Sequence, residues 1–128
     1  EGVEETGRAR TINRRKWEES EIETLLDKET SHAKILNELK RRIGIRKTQP
    51  AFHPDGVQEI VDAGDELIAI KRISPDKSQE ILCLTNVTDQ EIFMEAEKIA
   101  GFDLLKNTKV DLEYGQLTLK PYQTMWLV

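Results

Sequence analysis

Residues 67–86 read LIAIKRISPDKSQEILCLTN. Two runs, Leu67 to Ser74 and Glu80 to Asn86, carry apolar residues at a dominant period of two, which predicts a pair of β-strands. Between them Ser74, Pro75, Asp76 and Lys77 provide turn chemistry, because Pro presets φ and short polar side chains bond to nearby backbone. The stretch therefore reads as an antiparallel hairpin. The same period predicts strands at Val57 to Val61, about Glu91 to Ala96, Gln116 to Leu119 and Thr124 to Leu127. Residues 101–107, GFDLLKN, follow neither the helical nor the strand period clearly, and a short turn against the sheet would accommodate them.

Upstream of the strands the character of the chain changes at residues 49–56, QPAFHPDG. Two prolines and a Pro-Asp-Gly turn signal end whatever precedes them and begin a different architecture. What precedes them is helical. From Ala33 to about Lys47 the residues Ile35, Leu36, Leu39 and Ile43 recur at helical spacing, with Lys34, Lys40, Arg41 and Arg42 on the other side or its border. Thr30 or Ser31 can cap this helix. A shorter helix runs to about Lys28, with Ser20 and Glu23 in capping-box form and Ile22, Leu25 and Leu26 as its apolar stripe. Residues 1–16 show no apolar period and read as a loop.

Short strands following helices predict an α+β chain in which an antiparallel sheet or small sandwich forms its own layer. The expected division is 1–48, loop and helices, and 49–128, an antiparallel β domain. The helical stripe is too small to be buried by the helix pair alone, so a neighbour upstream is expected to cover it. The start EGVEETGRAR has neither an initiating Met nor an apolar leader-like stretch, which adds to the expectation that the chain is cut from something longer.

The 128 residues are too few for a catalytic barrel of about 250 residues. At 34% charged and 38% apolar the chain is polar but able to form a modest core. No apolar run approaches the ~18 residues of a membrane helix, so no membrane partner is expected. The net charge of −5 and 5% aromatic content argue against a general nucleic-acid surface. The lone Cys83, inside ILCL, cannot make an internal disulfide; it reads as a small buried hydrophobe in a reducing, cytoplasmic compartment.

Catalytic constellations are scarce. Cys83 with His32 and His53 is the only nucleophile and base set in sight, and ILCL places the thiol in a strand. One Cys and two separated histidines match no metal-ligand spacing, and the seven glycines form no phosphate loop, so neither metal nor cofactor is expected. The one unusual feature is the stretch 7–17, GRARTINRRKW, with Arg8, Arg10, Arg14, Arg15 and Lys16 and no acid between them. Arginine forks suit phosphate, carboxylate or sugar hydroxyls, and Asn13 adds a donor and an acceptor. The plain alternative is a solvated loop paired with Glu4, Glu5, Glu18 or Glu19. Trp17 reads as a packing anchor at the helix start and His53 as a turn residue at the domain junction.

Taken in order, Ile12-Asn13-Arg14, Pro50-Ala51-Phe52-His53-Pro54, Leu84 to Val87 (LTNV) and Pro121-Tyr122-Gln123 before Trp126-Leu127 resemble the C-terminal part of sucrose-phosphorylase-like enzymes of the α-amylase superfamily, glycoside hydrolase family 13. The resemblance covers nearly the whole chain. It implies a retaining transglucosidase that moves glucose from an α-glucoside to inorganic phosphate through a covalent glucosyl-enzyme. The catalytic carboxylates would then sit on a (β/α)8 barrel upstream of Glu1. Residues 1–48 would close that barrel and residues 49–128 would form the β domain that covers and stabilises it. The partners implied are the missing barrel and the sugar and phosphate substrates, with Arg14 foremost and Asn13 and Arg10 behind it as acceptor- or phosphate-binding residues. Fructose, phosphorylated fructose, glycerate and glycerol are acceptors used across such relatives. The rival expectation is a free-standing interaction module whose basic loop 8–16 binds an acidic partner.

Overall fold

The computed structural model describes residues 3–9, 16–27, 29–95, 101–110, 112 and 115–128. Helices come first and strands after, an α+β order. The chain divides into two compact units, Glu1–Arg41 and Arg42–Val128, with the division inside the longest helix. No helix among the described residues is long and apolar enough to cross a membrane.

In the first unit, Val3–Thr6 forms a single helical turn, α1, closed by the Gly7 amide donating to the Val3 carbonyl at 2.7 Å. The sequence reading as loop missed it because one turn is too short to show a period. Helix α2 spans Glu19–Leu25. Ser20 is not its cap: Glu18 holds that position without a side-chain bond, and the Ser20 carbonyl instead accepts from the Thr24 hydroxyl at 2.9 Å. Helix α3, Ser31–Lys47, is capped by Thr30, whose hydroxyl accepts from the Ala33 amide at 3.1 Å. The α3 stripe faces outward, with Ile35, Leu39 and Ile43 at least half exposed.

The second unit holds a 3-10 turn, Pro50–Phe52, and strands β1 Val57–Val61, β2 Leu67–Ile73, β3 Glu80–Asn86, β4 Ile92–Glu95, β5 Phe102–Asp103, β6 Thr108–Lys109, β7 Gln116–Leu119 and β8 Thr124–Leu127. Among the described residues six strands form one sheet in the order β1-β2-β3-β8-β5-β6, and β4 pairs with β7 in a second. Every pairing among them is antiparallel. The stretch 101–107 resolves into β5 and a turn leading to β6, with Asn107 at φ 56° in that turn.

Period two decides the core. Leu67, Ala69, Leu84, Met125 and Leu127 project from one face of the large sheet and meet Leu117 and Leu119 of β7, with Ile92 and Met94 of β4 packed alongside. The six buried Leu and Met side chains of this cluster contribute about 1.5–3 kcal/mol each, and Ala69 less, against the entropy of ordering the strands.

The β2–β3 hairpin turn is organised by Asp76. Its Oδ1 accepts from the Ser74 hydroxyl at 2.7 Å, the Ser78 hydroxyl at 2.8 Å and the Ser78 amide at 3.1 Å, while Lys77 adopts φ 58°. These donors favour the charged carboxylate and hold its pKa down at about 2. Gly56 is required at the start of β1, since a Cβ there would lie 2.7 Å from the Ile73 carbonyl oxygen and 3.0 Å from that of His53.

Asn86, fully buried at the end of β3, links the two sheets. Its side-chain Nδ2 donates to the carbonyls of Gln90 at 2.7 Å and Lys120 at 3.0 Å, with Leu119 at 3.3 Å. Its Oδ1 accepts from the amide and hydroxyl of Thr88 at 2.9 and 2.8 Å. Asn86→Ala strands several of these groups without partners, and we expect a loss of about 2–4 kcal/mol in chemical denaturation. An unfolding midpoint within error of wild type would contradict this role.

Candidate functional site

Chemistry-bearing side chains of the second unit gather where α3 ends. The Thr48 amide donates to the Ile45 carbonyl at 3.1 Å and the Gln49 amide to that of Arg46 at 3.2 Å, winding the helix down. Pro50 then opens the 3-10 turn, where its missing N–H costs nothing. Ala51, with no exposed surface, is held from both sides of its peptide. Its amide donates to Gln79 Oε1 at 3.0 Å, and Gln79 Nε2 donates to Gln49 Oε1 at 2.7 Å.

Arg72 completes the clamp. Nε donates to the Ala51 carbonyl at 3.2 Å, Nη2 to the His53 carbonyl at 2.8 Å and Nη1 to Gln58 Oε1 at 3.0 Å. All three guanidinium nitrogens are thus committed to the chain itself. The clamped turn presents Phe52, whose ring centroid lies 4.8 Å from that of Trp126 at an interplanar angle of 57°. Arg46 sets its guanidinium carbon 5.8 Å from the Phe52 centroid, within cation-π range.

Two open depressions flank Phe52 and Arg46, which line both. One, of about 520 Å³, runs between Ile43, Lys47, Pro50 and His53. The other, of about 230 Å³, lies over Gln58, Ile70, Cys83 and Trp126. Neither has an Asp or Glu in its lining, so neither offers the carboxylate pair that glycosyl transfer requires. His53 Nδ1 accepts from the Asp55 amide at 3.2 Å, closing a turn. Cys83 is partly rather than fully buried. Burial raises its thiol pKa to about 11, with Arg72 and Arg46 pulling weakly the other way. It is a neutral thiol near pH 7 and a poor nucleophile.

The residues singled out for acceptor and phosphate binding, Arg14, Asn13 and Arg10, lie outside the described residues. Beside them, Arg8 and Lys16 are exposed, and Trp17 keeps 43% of its surface open, more than a packing anchor would. Sequence reasoning missed Arg72 and Gln79. Their one signal is indirect: the PAFHP turn leaves backbone groups that some partner must satisfy.

No family model matches the chain. It is similar over nearly all its length to glucosylglycerate phosphorylases. That of Spirochaeta thermophila is 34% identical over 142 residues, covering 99% of this chain and 24% of the relative. That of Escherichia coli K12 is 33% identical over 130 residues, covering 98% and 22%. That of Allomeiothermus silvanus is 33% identical over 128 residues, covering 99% and 21%. The chain is therefore related to a segment of phosphorylases, and it spans less than a quarter of the length of these curated relatives. They are named for glucosylglycerate rather than sucrose.

The Cys83 geometry gives a direct test. Alkylation of the Cys83 peptide, followed by mass spectrometry, should be slow at pH 7 and climb about tenfold per pH unit toward pH 10. A rate that levels off between pH 8 and 9, near the ordinary thiol pKa of about 8.5, would contradict the burial assigned to it.

Proposed function

We propose that this chain is part of a longer retaining phosphorylase that releases glucose 1-phosphate from glucosylglycerate and inorganic phosphate. The observation that carries the reading is the similarity of 98–99% of the chain to three phosphorylases of that name. In this reading residues 1–48 close a (β/α)8 catalytic barrel and residues 49–128 form the β domain that follows it. The whole enzyme works in the cytoplasm.

The chemistry is a double displacement. A carboxylate of the barrel attacks the anomeric carbon while an acid protonates the departing glycerate oxygen, breaking the glycosidic bond. A phosphate oxygen then displaces the carboxylate, giving glucose 1-phosphate with the original anomeric configuration. Arg14 orients the acceptor or phosphate, with Asn13 and Arg10 assisting. A basic loop favours glycerate over fructose as the acceptor, because a guanidinium fork pairs with a carboxylate and fructose carries none.

The test is glucose 1-phosphate release by the full-length protein given phosphate with either glucosylglycerate or sucrose. Release from glucosylglycerate is expected. Release from sucrose alone would move the acceptor to fructose, and release from neither would overturn the reading. The 128-residue chain by itself should give none. In the full-length enzyme Arg14→Ala should lower kcat/KM for acceptor or phosphate by about 10- to 100-fold, the value of a charge-assisted hydrogen bond, with an unchanged unfolding midpoint.

A further inference from the structure

The depression at the end of α3 lies wholly within the second unit and combines cations with apolar walls. Arg46 and Lys47, from the last helical turn, belong to its lining, which holds no Asp or Glu. Basic residues in a last turn ordinarily answer the helix carbonyls. Here the Ile45 carbonyl already accepts from the Thr48 amide at 3.1 Å and the Thr48 hydroxyl at 2.8 Å, and the Arg46 carbonyl from the Gln49 amide at 3.2 Å. Within the described residues neither cationic head makes a hydrogen bond or an ion pair, and the Arg46 guanidinium rests over the Phe52 ring at 5.8 Å. Arg72 is the reverse, with its nitrogens committed to the chain. His53 adds a donor, since with Nδ1 accepting from the Asp55 amide the neutral ring carries its proton on Nε2. Asp55, whose Oδ2 lies 3.8 Å from that Nδ1, is not part of the lining.

We propose that this depression binds a phosphorylated sugar, its phosphate on Arg46 and Lys47 and its ring against Ile43, Pro50 and Pro54. Charge selects the anion. A phosphate monoester carries about −1.5 to −2 near neutral pH, which two fixed cations balance, and an arginine fork beside a lysine point charge suits its oxygens. Size selects the body, because about 520 Å³ falls in the range of small-molecule sites and exceeds what a bare phosphate fills. The walls select a sugar over a nucleobase. A base stacks on an open aromatic face, whereas Phe52 has Arg46 over its ring and Trp126 at 4.8 Å, tilted by 57°. The C–H face of a sugar needs only apolar contact, which the two prolines and Ile43 supply.

Residue-resolved protection in the full-length protein tests this. Lysines are acylated with a trace reagent, and the rate at Lys47 is read by peptide mass spectrometry as glucose 6-phosphate is added. The reaction proposed above neither consumes nor forms that sugar phosphate. At about ten times the half-protecting concentration the Lys47 rate should fall about tenfold, as simple occupancy requires, with exposed Lys106 unchanged. Arg46→Ala should raise the half-protecting concentration by about 10- to 100-fold, the loss of a charge-assisted contact. Inorganic phosphate, glucose and adenosine monophosphate are the comparison ligands, and protection by any of them at concentrations as low as those of glucose 6-phosphate would overturn the assignment. So would a Lys47 rate that glucose 6-phosphate leaves unchanged, or a Lys47 that fails to react even without ligand, which would mean that the depression is closed. Glucose 1-phosphate release from the same preparation judges the enzymatic reading separately.

Discussion

The β unit depends on one primary amide. Asn86 ends β3 in the large sheet, yet its side chain is spent on the carbonyls of Gln90 and Lys120 and on Thr88, which lie on the paths to β4 and away from β7. Its own amide donates to the Gln123 carbonyl at 2.9 Å at the start of β8. The chain crosses from the large sheet to the second after β3 and crosses back for the last time between β7 and β8, and both of these passages are fastened to this residue. A buried amide so fully paired is stable because each partner would otherwise lose its water without replacement. The turn before β8 follows the same geometry: Pro121 and Tyr122, at φ 54°, reverse the chain so that the Gln123 amide reaches the Lys120 carbonyl at 3.0 Å.

Much of this fold was legible in the sequence. The hairpin of β2 and β3, the edge strand β1 and the closing strands β7 and β8 each have enough residues for period two to show. Strands β5 and β6 have two residues each, and no period can be read from two positions. They exist because β8 offers them an edge and because Asp103 Oδ1 accepts from the Trp126 amide at 3.2 Å and the Leu105 amide at 3.0 Å. The capping box at Ser20 failed for a different reason. Its spacing was right, but the Glu18 carbonyl takes the first helical bond from Ile22 at 3.1 Å, which places Ser20 inside α2.

The site was legible only at the level of motif. Pro50 to Pro54 stood out because prolines punctuate the chain, and there α3 gives way to the 3-10 turn that precedes β1, whereas the two compact units divide earlier, between Arg41 and Arg42. What holds it comes from 21 and 28 residues away, through Arg72 and Gln79, and such distances leave no local pattern. Arg72 also shows why counting arginines does not locate a ligand site. An arginine whose donors are filled by the chain's own oxygens is structural, whereas the run 8–16 is distinguished in the sequence by its clustering of bases without any acid between them.

Composition alone also misleads about self-sufficiency. At 38% apolar, the chain has few hydrophobic residues to place, and a free-standing domain would gain most by burying nearly all of them. Instead Ile35, Leu39 and Ile43 on α3 and Ile60 and Ile68 on the sheet remain at least half exposed. Single exposed isoleucines are ordinary, and Ile60 and Ile68 stand one to a strand, but Ile35, Leu39 and Ile43 recur at the period of the helix that bears them. The core formed by Leu84, Leu117, Leu119 and their neighbours gives the β unit its shape, while Ile60 and Ile68 stand outside it.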